Sequence, residues 1–212
     1  GNSVNAFLVK FNDSGLRLWG TYYGGNGGAG GGRPSTDALG NVFLVGNTYS
    51  TSGIAAGGYQ NTSGGDSDGF LVKFNAAGVR LWATYLGGTQ FDYLTHSATD
   101  ASGNVYAAGA AASSSGIAVG GHQNTYGGNS DLILAKFNGL GSLLWCTYYG
   151  DTSEESSTDV TVDAQSNVYL IGQTNSPTNI ASGGHQNQPG GRIDTFLAKF
   201  HASGNRLWAT YY

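Results

Sequence analysis

Between residues 157 and 163 apolar and polar positions alternate, with Val160 and Val162 on one face, and after a short polar turn the run NVYLIGQT (167–174) follows. Period-two alternation with β-branched and aromatic side chains predicts two strands. A Gly-, Ser- and Asn-rich loop leads to a third run, TFLAKF (195–200), and a glycine-containing turn to a fourth, RLWATYY (206–212). In the equivalent run FLVKF, Phe7, Val9 and Phe11 share one face while Lys10 lies on the other with Leu8, as the strand period requires. The turns NDSG, NAAG, NGLG and HASG hold glycine where a short hairpin loop needs positive φ. DALGN, DASGN and DAQSN place Asp37, Asp100 and Asp163 where a carboxylate accepts backbone N–H groups in an Asx turn. Nothing carries helical periodicity, so a β-α solenoid is excluded.

This four-strand pattern is copied. All four lysines (Lys10, Lys73, Lys136, Lys199) and all four tryptophans (Trp19, Trp82, Trp145, Trp208) recur every 63 residues, and so do Gly15, Gly78, Gly141 and Gly204. A second block recurs three times, with Asp37, Asp100 and Asp163 and with Gln60, Gln123 and Gln186. A fixed period means one supersecondary unit repeated. The predicted division is a partial unit at 1–25 holding the last two strands, then units at 26–88, 89–151 and 152–212. Four antiparallel strands per unit, in an all-β chain, predict β-propeller blades, three full and one half. A sandwich competes, but it does not predict a strict copy.

The motifs DGFLVKF (68–74), GVRLWATYLGG (78–88) and DASGNVY (100–106), with the loop GIAVGGHQNTYGG (116–128), resemble the bacterial β-propeller repeat family called SBBP. The likeness covers nearly the whole chain. It implies large, modular, secreted or surface-displayed bacterial proteins, and it implies no catalytic residues. Two departures stand out: NGGAGGGRPSTD (26–37) precedes the first unit's inner strand, and Asn5 stands where the other units have Asp68, Asp131 and Asp194. So glycine-rich and Pro-interrupted a stretch weakens a strand.

Fourteen predicted strands make three and a half blades, fewer than a propeller of about four to eight blades needs to close. Three arrangements satisfy this: a longer chain with further repeats, copies associating edge to edge, or an open filament joined through sheet edges. Unpaired edges must be covered by something.

Composition narrows the function. A net charge of −4 with only 10% charged residues gives no basic face for nucleic acid. No apolar run is long enough to insert in a membrane, and with neither an initiator Met nor a signal-like segment the sequence reads as a mature or excised piece. Cys146, aligned with Gly20, Ala83 and Ala209, reads as a small buried residue, and one cysteine leaves the redox compartment open.

Candidate ligand pockets lie at Tyr59–Gln60, His122–Gln123 and His185–Gln186, one per loop, with glycans as the expected ligand; the competing reading is that each Gln braces its own loop. Asp66, Asp68, Asp92, Glu154 and Glu155 form no D-x-D-x-D-G calcium loop and read as solvated or loop-ordering carboxylates. His96, His122, His185 and His201 lack zinc-site spacing, so no metal or other cofactor is expected. Lysine is expected to pair with an acid or to discourage edge association, tryptophan to pack between blades or, alternatively, to stack on sugars. The expected role is a noncatalytic extracellular or cell-surface scaffold, structural or adhesive, with a lectin-like propeller as the alternative.

Overall fold

The computed structural model describes residues 4–212, Thr158 by its backbone alone. The chain is all β, with no helix among the described residues. A hairpin of β1 (Ala6–Phe11) and β2 (Arg17–Tyr23) comes first. The first full sheet holds β3 (Ala29–Gly31), β4 (Ser35–Thr36), β5 (Val42–Thr48), β6 (Asp68–Phe74) and β7 (Arg80–Leu86). The second holds β8 (Asp92–Thr99), β9 (Val105–Ala111), β10 (Asp131–Phe137) and β11 (Leu143–Tyr149). The third holds β12 (Glu155–Val162), β13 (Val168–Thr174), β14 (Asp194–Phe200) and β15 (Arg206–Tyr211). Each is an antiparallel meander in chain order, β8-β9-β10-β11 for example.

Among the described residues there are fifteen strands rather than fourteen because the inner strand of the first sheet is broken. Its counterparts β8 and β12 run unbroken for 8 residues each, whereas β3 and β4 are short pieces that pair separately with β5. Gly32, Arg33 and Pro34 lie between the pieces. Proline has no N–H to give a ladder and glycine no side chain to pack, so the pairing lapses there.

The first and second sheets bury both faces by stacking on their neighbours, and the third buries one. Phe43, Val45, Leu71 and Trp82 of the first sheet pack against Val105, Ile133, Phe137 and Tyr148 of the second. The second sheet's other face, with Tyr106, Leu134 and Trp145, packs against Val168, Phe196 and Phe200 of the third. The hairpin contributes Ala6, Leu8 and Tyr23 to the same kind of layer on the first sheet. Two outer faces are therefore left over. Phe7 is 70% exposed where its counterparts Phe70, Ile133 and Phe196 are all at 0%, and Tyr22 is 81% exposed where Tyr85, Tyr148 and Tyr211 are at 1%.

The long loops do not project. Ala56 and Ala83 exchange backbone hydrogen bonds of 2.9 Å, and Tyr85 N donates to the Gln60 carbonyl at 3.0 Å, so the loop lies along the outer edge of β7. Val119 with Cys146 and Ser182 with Ala209 repeat this on β11 and β15. Each full sheet thus covers its own outer edge, which removes the usual site of edge-to-edge association.

Candidate functional site

The repeated lysines and tryptophans converge on one feature, a joint between consecutive sheets. They are cross-strand partners, Lys73 opposite Trp82 and Lys136 opposite Trp145, and so lie on one face. A register shift follows each lysine, a bulge of the kind that re-aims a side chain. Trp82 Nε1 and Lys73 Nζ both donate to the Gly139 carbonyl in the β10–β11 turn, at 3.0 and 3.2 Å. Trp145 and Lys136 do the same to Ala202 at 3.0 and 3.2 Å, and Trp19 and Lys10 to Ala76 at 3.0 and 3.3 Å.

Glycine is required in the receiving turn for two reasons. Gly141 has φ +88, and a Cβ there would lie 2.8 Å from the Trp82 ring; Gly204 and Gly78 meet Trp145 and Trp19 in the same way. The turn is otherwise self-contained, since Asn138 Oδ1 accepts from Leu140 N and Ser142 N at 3.0 Å each. Its outward carbonyl is the group left for the neighbouring sheet.

The same lysines reach back into their own sheets. Lys73 lies 3.5 Å from Asp37, Lys136 3.8 Å from Asp100 and Lys199 3.6 Å from Asp163, each ammonium over an aromatic ring (Phe43, Tyr106, Tyr169). Asp100 accepts from Ser102 N, Asn104 N and Asn104 Nδ2; Asp37 and Asp163 hold their turns likewise. Burial opposes ionisation of Asp100, but the hydrogen bonds from Asn104 and Tyr106 and the Lys136 charge outweigh it and hold its carboxyl below the usual range. The Asn167 side-chain amide leads the set of donors that brings Asp163 down to about 2. Burial, against the pull of Asp100, lowers the Lys136 ammonium.

A second part of the joint varies from copy to copy. The Tyr149 hydroxyl and Arg206 Nη1 both donate to the Ile180 carbonyl, Arg206 at 2.9 Å, and Tyr23 and Arg80 both donate to Ile54. At the middle joint these positions are Leu86 and Leu143, packed with Ile117. Tyrosine and arginine are present together or replaced together. Within each full sheet a further hook is invariant: the Tyr85, Tyr148 and Tyr211 hydroxyls donate to the Ser50, Ser113 and Ser176 carbonyls. Sequence reading missed these tyrosines, although Tyr22, Tyr85, Tyr148 and Tyr211 keep the repeat spacing.

The predicted loop sites do not form one repeated pocket. Gln60 Nε2 donates to Thr62 O and Gly87 O at 3.1 Å, and its Oε1 accepts from Gly87 N. Gln123 bonds Thr125 O, Asp131 and Gly150 N, and Gln186 bonds Gln188 O. Tyr59 and His185 are exposed, each in its own loop. His122 lies 6.4 Å from the ring centroids of Tyr149 and Phe200 and lines a cleft of about 490 Å³ with Asn124, Asp151, Asn179 and Arg206. Burial and the nearby Arg206 charge lower its pKa.

The carboxylates Asp68, Asp92 and Glu155 are buried rather than solvated; Glu154 is exposed. Asp92 accepts from Gly88 N and Ser113, and Glu155 from Asp151 N and Thr174, which ties the loops beside them. Asp131 Oδ1 and Glu155 Oε2 both lie within 2.6 Å of the point where a Gly150 Cβ would sit, and Asp131 Oδ1 has no hydrogen-bond partner. Burial pushes Asp131 up to about 6 and Glu155 up to about 7. The Asp131 charge adds to burial in raising Glu155, since like charges so placed disfavour ionisation. Asp68 and Asp92 repeat the pair, while the hairpin joint has Asn5 and Ala29.

Among the described residues, no three His, Cys, Asp or Glu side chains group to hold a metal ion, and no helix is long and apolar enough to cross a membrane. Cys146 is buried, its thiol pushed up to about 12 by desolvation. No protein-family model matches the chain, and no curated protein does.

Proposed function

We propose that this chain is a noncatalytic repeat scaffold of the SBBP type, its sheets the blades of a β-propeller, with a structural, adhesive or protein-interaction role outside a bacterial cell. The observation that carries the reading is that most of the side chains copied from unit to unit hold their own turns and loops or bond the next sheet. The lysines, tryptophans, aspartates and glutamines that would attract a ligand-based reading bond backbone groups of their own or the next unit. The blade arrangement rests on in-register stacking and on contacts between inner strands at a near-constant step: Ser35 to Ser97 at 2.8 Å and Thr95 to Ser157 at 3.0 Å. The resemblance alone supplies the extracellular, bacterial setting.

One observation favours the lectin alternative: the polar cleft at His122, Asn124 and Arg206. A glycan array separates the two readings. The scaffold reading expects blank arrays; saturable binding that His122→Ala with Asn124→Ala removes, at unchanged melting temperature, would replace it with the lectin.

A further inference from the structure

Three side chains depart from the repeat together, at the joint between the first and second sheets. Tyr49, Phe91 and Tyr93 stand there, where the next joint has Ala112, Glu154 and Ser156. The aromatic side chains form a row: the Tyr49 and Phe91 ring centroids lie 6.3 Å apart at 49°, and those of Phe91 and Tyr93 5.8 Å apart at 55°. Tyr49 is 58% and Phe91 42% exposed, and Tyr93 is half-buried. The two sheets that carry the row each have a packed neighbour on both sides, so its exposure owes nothing to the ends of the sequence. Backbone holds it in place. Tyr49 N donates to Gly28 O and Ala112 N to Phe91 O at 3.0 Å each, and Asp92 N to Ser67 O across the joint at 2.7 Å.

Acids frame the row. Glu154 is exposed and lines one cleft with Tyr93 and Ser130, and Asp66 is exposed one residue before Ser67, which bridges to Phe91. Neither acid has an ion pair among the described residues; Arg192 lines a neighbouring cleft with Glu154 but does not pair with it. Burial and the Glu154 charge together raise the Tyr93 hydroxyl pKa.

We infer that this row docks a proline-rich, basic segment of another protein. The inference deepens the protein-interaction part of the scaffold reading and rests on it. The tilt between successive rings makes notches rather than the one flat platform that a sugar ring would cover. A polyproline II helix is preformed, has no internal hydrogen bonds to lose, and seats its rings in such aromatic-lined grooves. The unpaired acids add charge complementarity for Lys or Arg, and an arginine over a tyrosine face gains a cation–π contact. A second copy of this chain does not carry such a segment: its three prolines, Pro34, Pro177 and Pro189, stand apart, and its net charge is −4.

Fluorescence anisotropy of a labelled oligoproline with an arginine at each end, titrated with the 212-residue chain, tests the inference. Saturable binding is expected, and it weakens as salt rises. Phe91→Ala and Tyr49→Ala are each expected to weaken it about tenfold, as for loss of an aromatic anchor. Glu154→Gln is expected to weaken it less and to flatten the salt dependence. All three positions face solvent, so each variant is expected to melt like the parent. Absence of saturation, binding that no variant weakens, or equal binding of a glycine-serine peptide with the same arginines would each overturn the proposal. The scaffold reading fails separately, on a glycan bound through His122 and Asn124.

Discussion

The joint between the first and second sheets and that between the second and third perform one task with different side chains. Both use Lys and Trp on a turn carbonyl above a positive-φ glycine. Where the later joint adds Tyr149 and Arg206 on the Ile180 carbonyl, the earlier one has Leu86, Ile117 and Leu143 in apolar contact. The fixed part aims at backbone, which every unit possesses. The variable part also reaches a backbone carbonyl, but its two donors lean on each other, Arg206 Nη1 donating to the Tyr149 hydroxyl at 3.3 Å, and must change in concert, because a lone buried hydroxyl or guanidinium would lose its partner.

The largest expected effect comes from removing the fixed part. Trp145→Ala leaves a cavity between sheets and is expected to cost about 3–5 kcal/mol of unfolding free energy in a urea titration. Trp19→Ala, on the half-buried hairpin joint, is expected to cost less than half of that; equal costs would break the claim that the internal joints carry the stack.

Glycine separates two causes. Gly15→Ala meets only the backbone penalty of positive φ, on the order of 1 kcal/mol. Gly141→Ala also drives a methyl toward the Trp82 ring, with its Cβ 2.8 Å away, and is expected to cost about 1–2 kcal/mol more. Equal losses of stability would show that the ring yields freely.

Acidity sharpens the contrast between the hairpin joint and the last joint. Folding raises Glu155 from 4.5 to about 7 and Asp131 from 3.8 to about 6. The folded chain therefore holds protons that the unfolded chain has released, and stability is fullest below about pH 4 and falls as pH rises to about 7. The groups around the pair, Asp151, Tyr126, Tyr148 and Tyr211, offer no cation to cancel this. Between pH 5 and 7.5 the loss is expected to be on the order of 2 kcal/mol, and Glu155→Gln is expected to flatten the profile. Stability rising over this range would contradict the raised carboxyls. Asp163, lowered to about 2, acts in the opposite sense and only in acid, where its contribution is lost as pH falls below about 4.

The smallest effect tests concerted change. Tyr149→Leu and Arg206→Leu are each expected to destabilise, and the double variant, which copies the middle joint, by less than their sum, with a coupling of about 1 kcal/mol. Additive losses would mean that the paired substitution is coincidence.

Much of this was legible in the sequence because the repeat aligns strands without insertion. Alternation in NVYLIGQT, glycine in the hairpin turns and aspartate in DASGN each report a local requirement. The joint was less legible: sequence spacing shows that Lys136 and Trp145 recur, but not that both point at the carbonyl of Ala202, because a carbonyl acceptor leaves no residue-type signature. The broken inner strand followed from Pro34 and its glycines. Burial of Asp131 with Glu155 did not follow, since their closeness depends on Gly150 lying between sheets. The loops read as candidate ligand sites, yet Gly, Ser and Asn are also what an edge-covering loop uses to follow a strand closely.

Indole hydrogen exchange on ¹⁵N-tryptophan-labelled chain, at a concentration where it is monomeric, tests the joint most directly, with the four resonances assigned by single Trp→Phe variants. Trp82 and Trp145 are expected to exchange only through global unfolding, Trp19 faster, and Trp208 fastest of all. Rapid exchange at Trp82 and Trp145, or four equal rates, would contradict an inter-sheet joint built on the turn carbonyls.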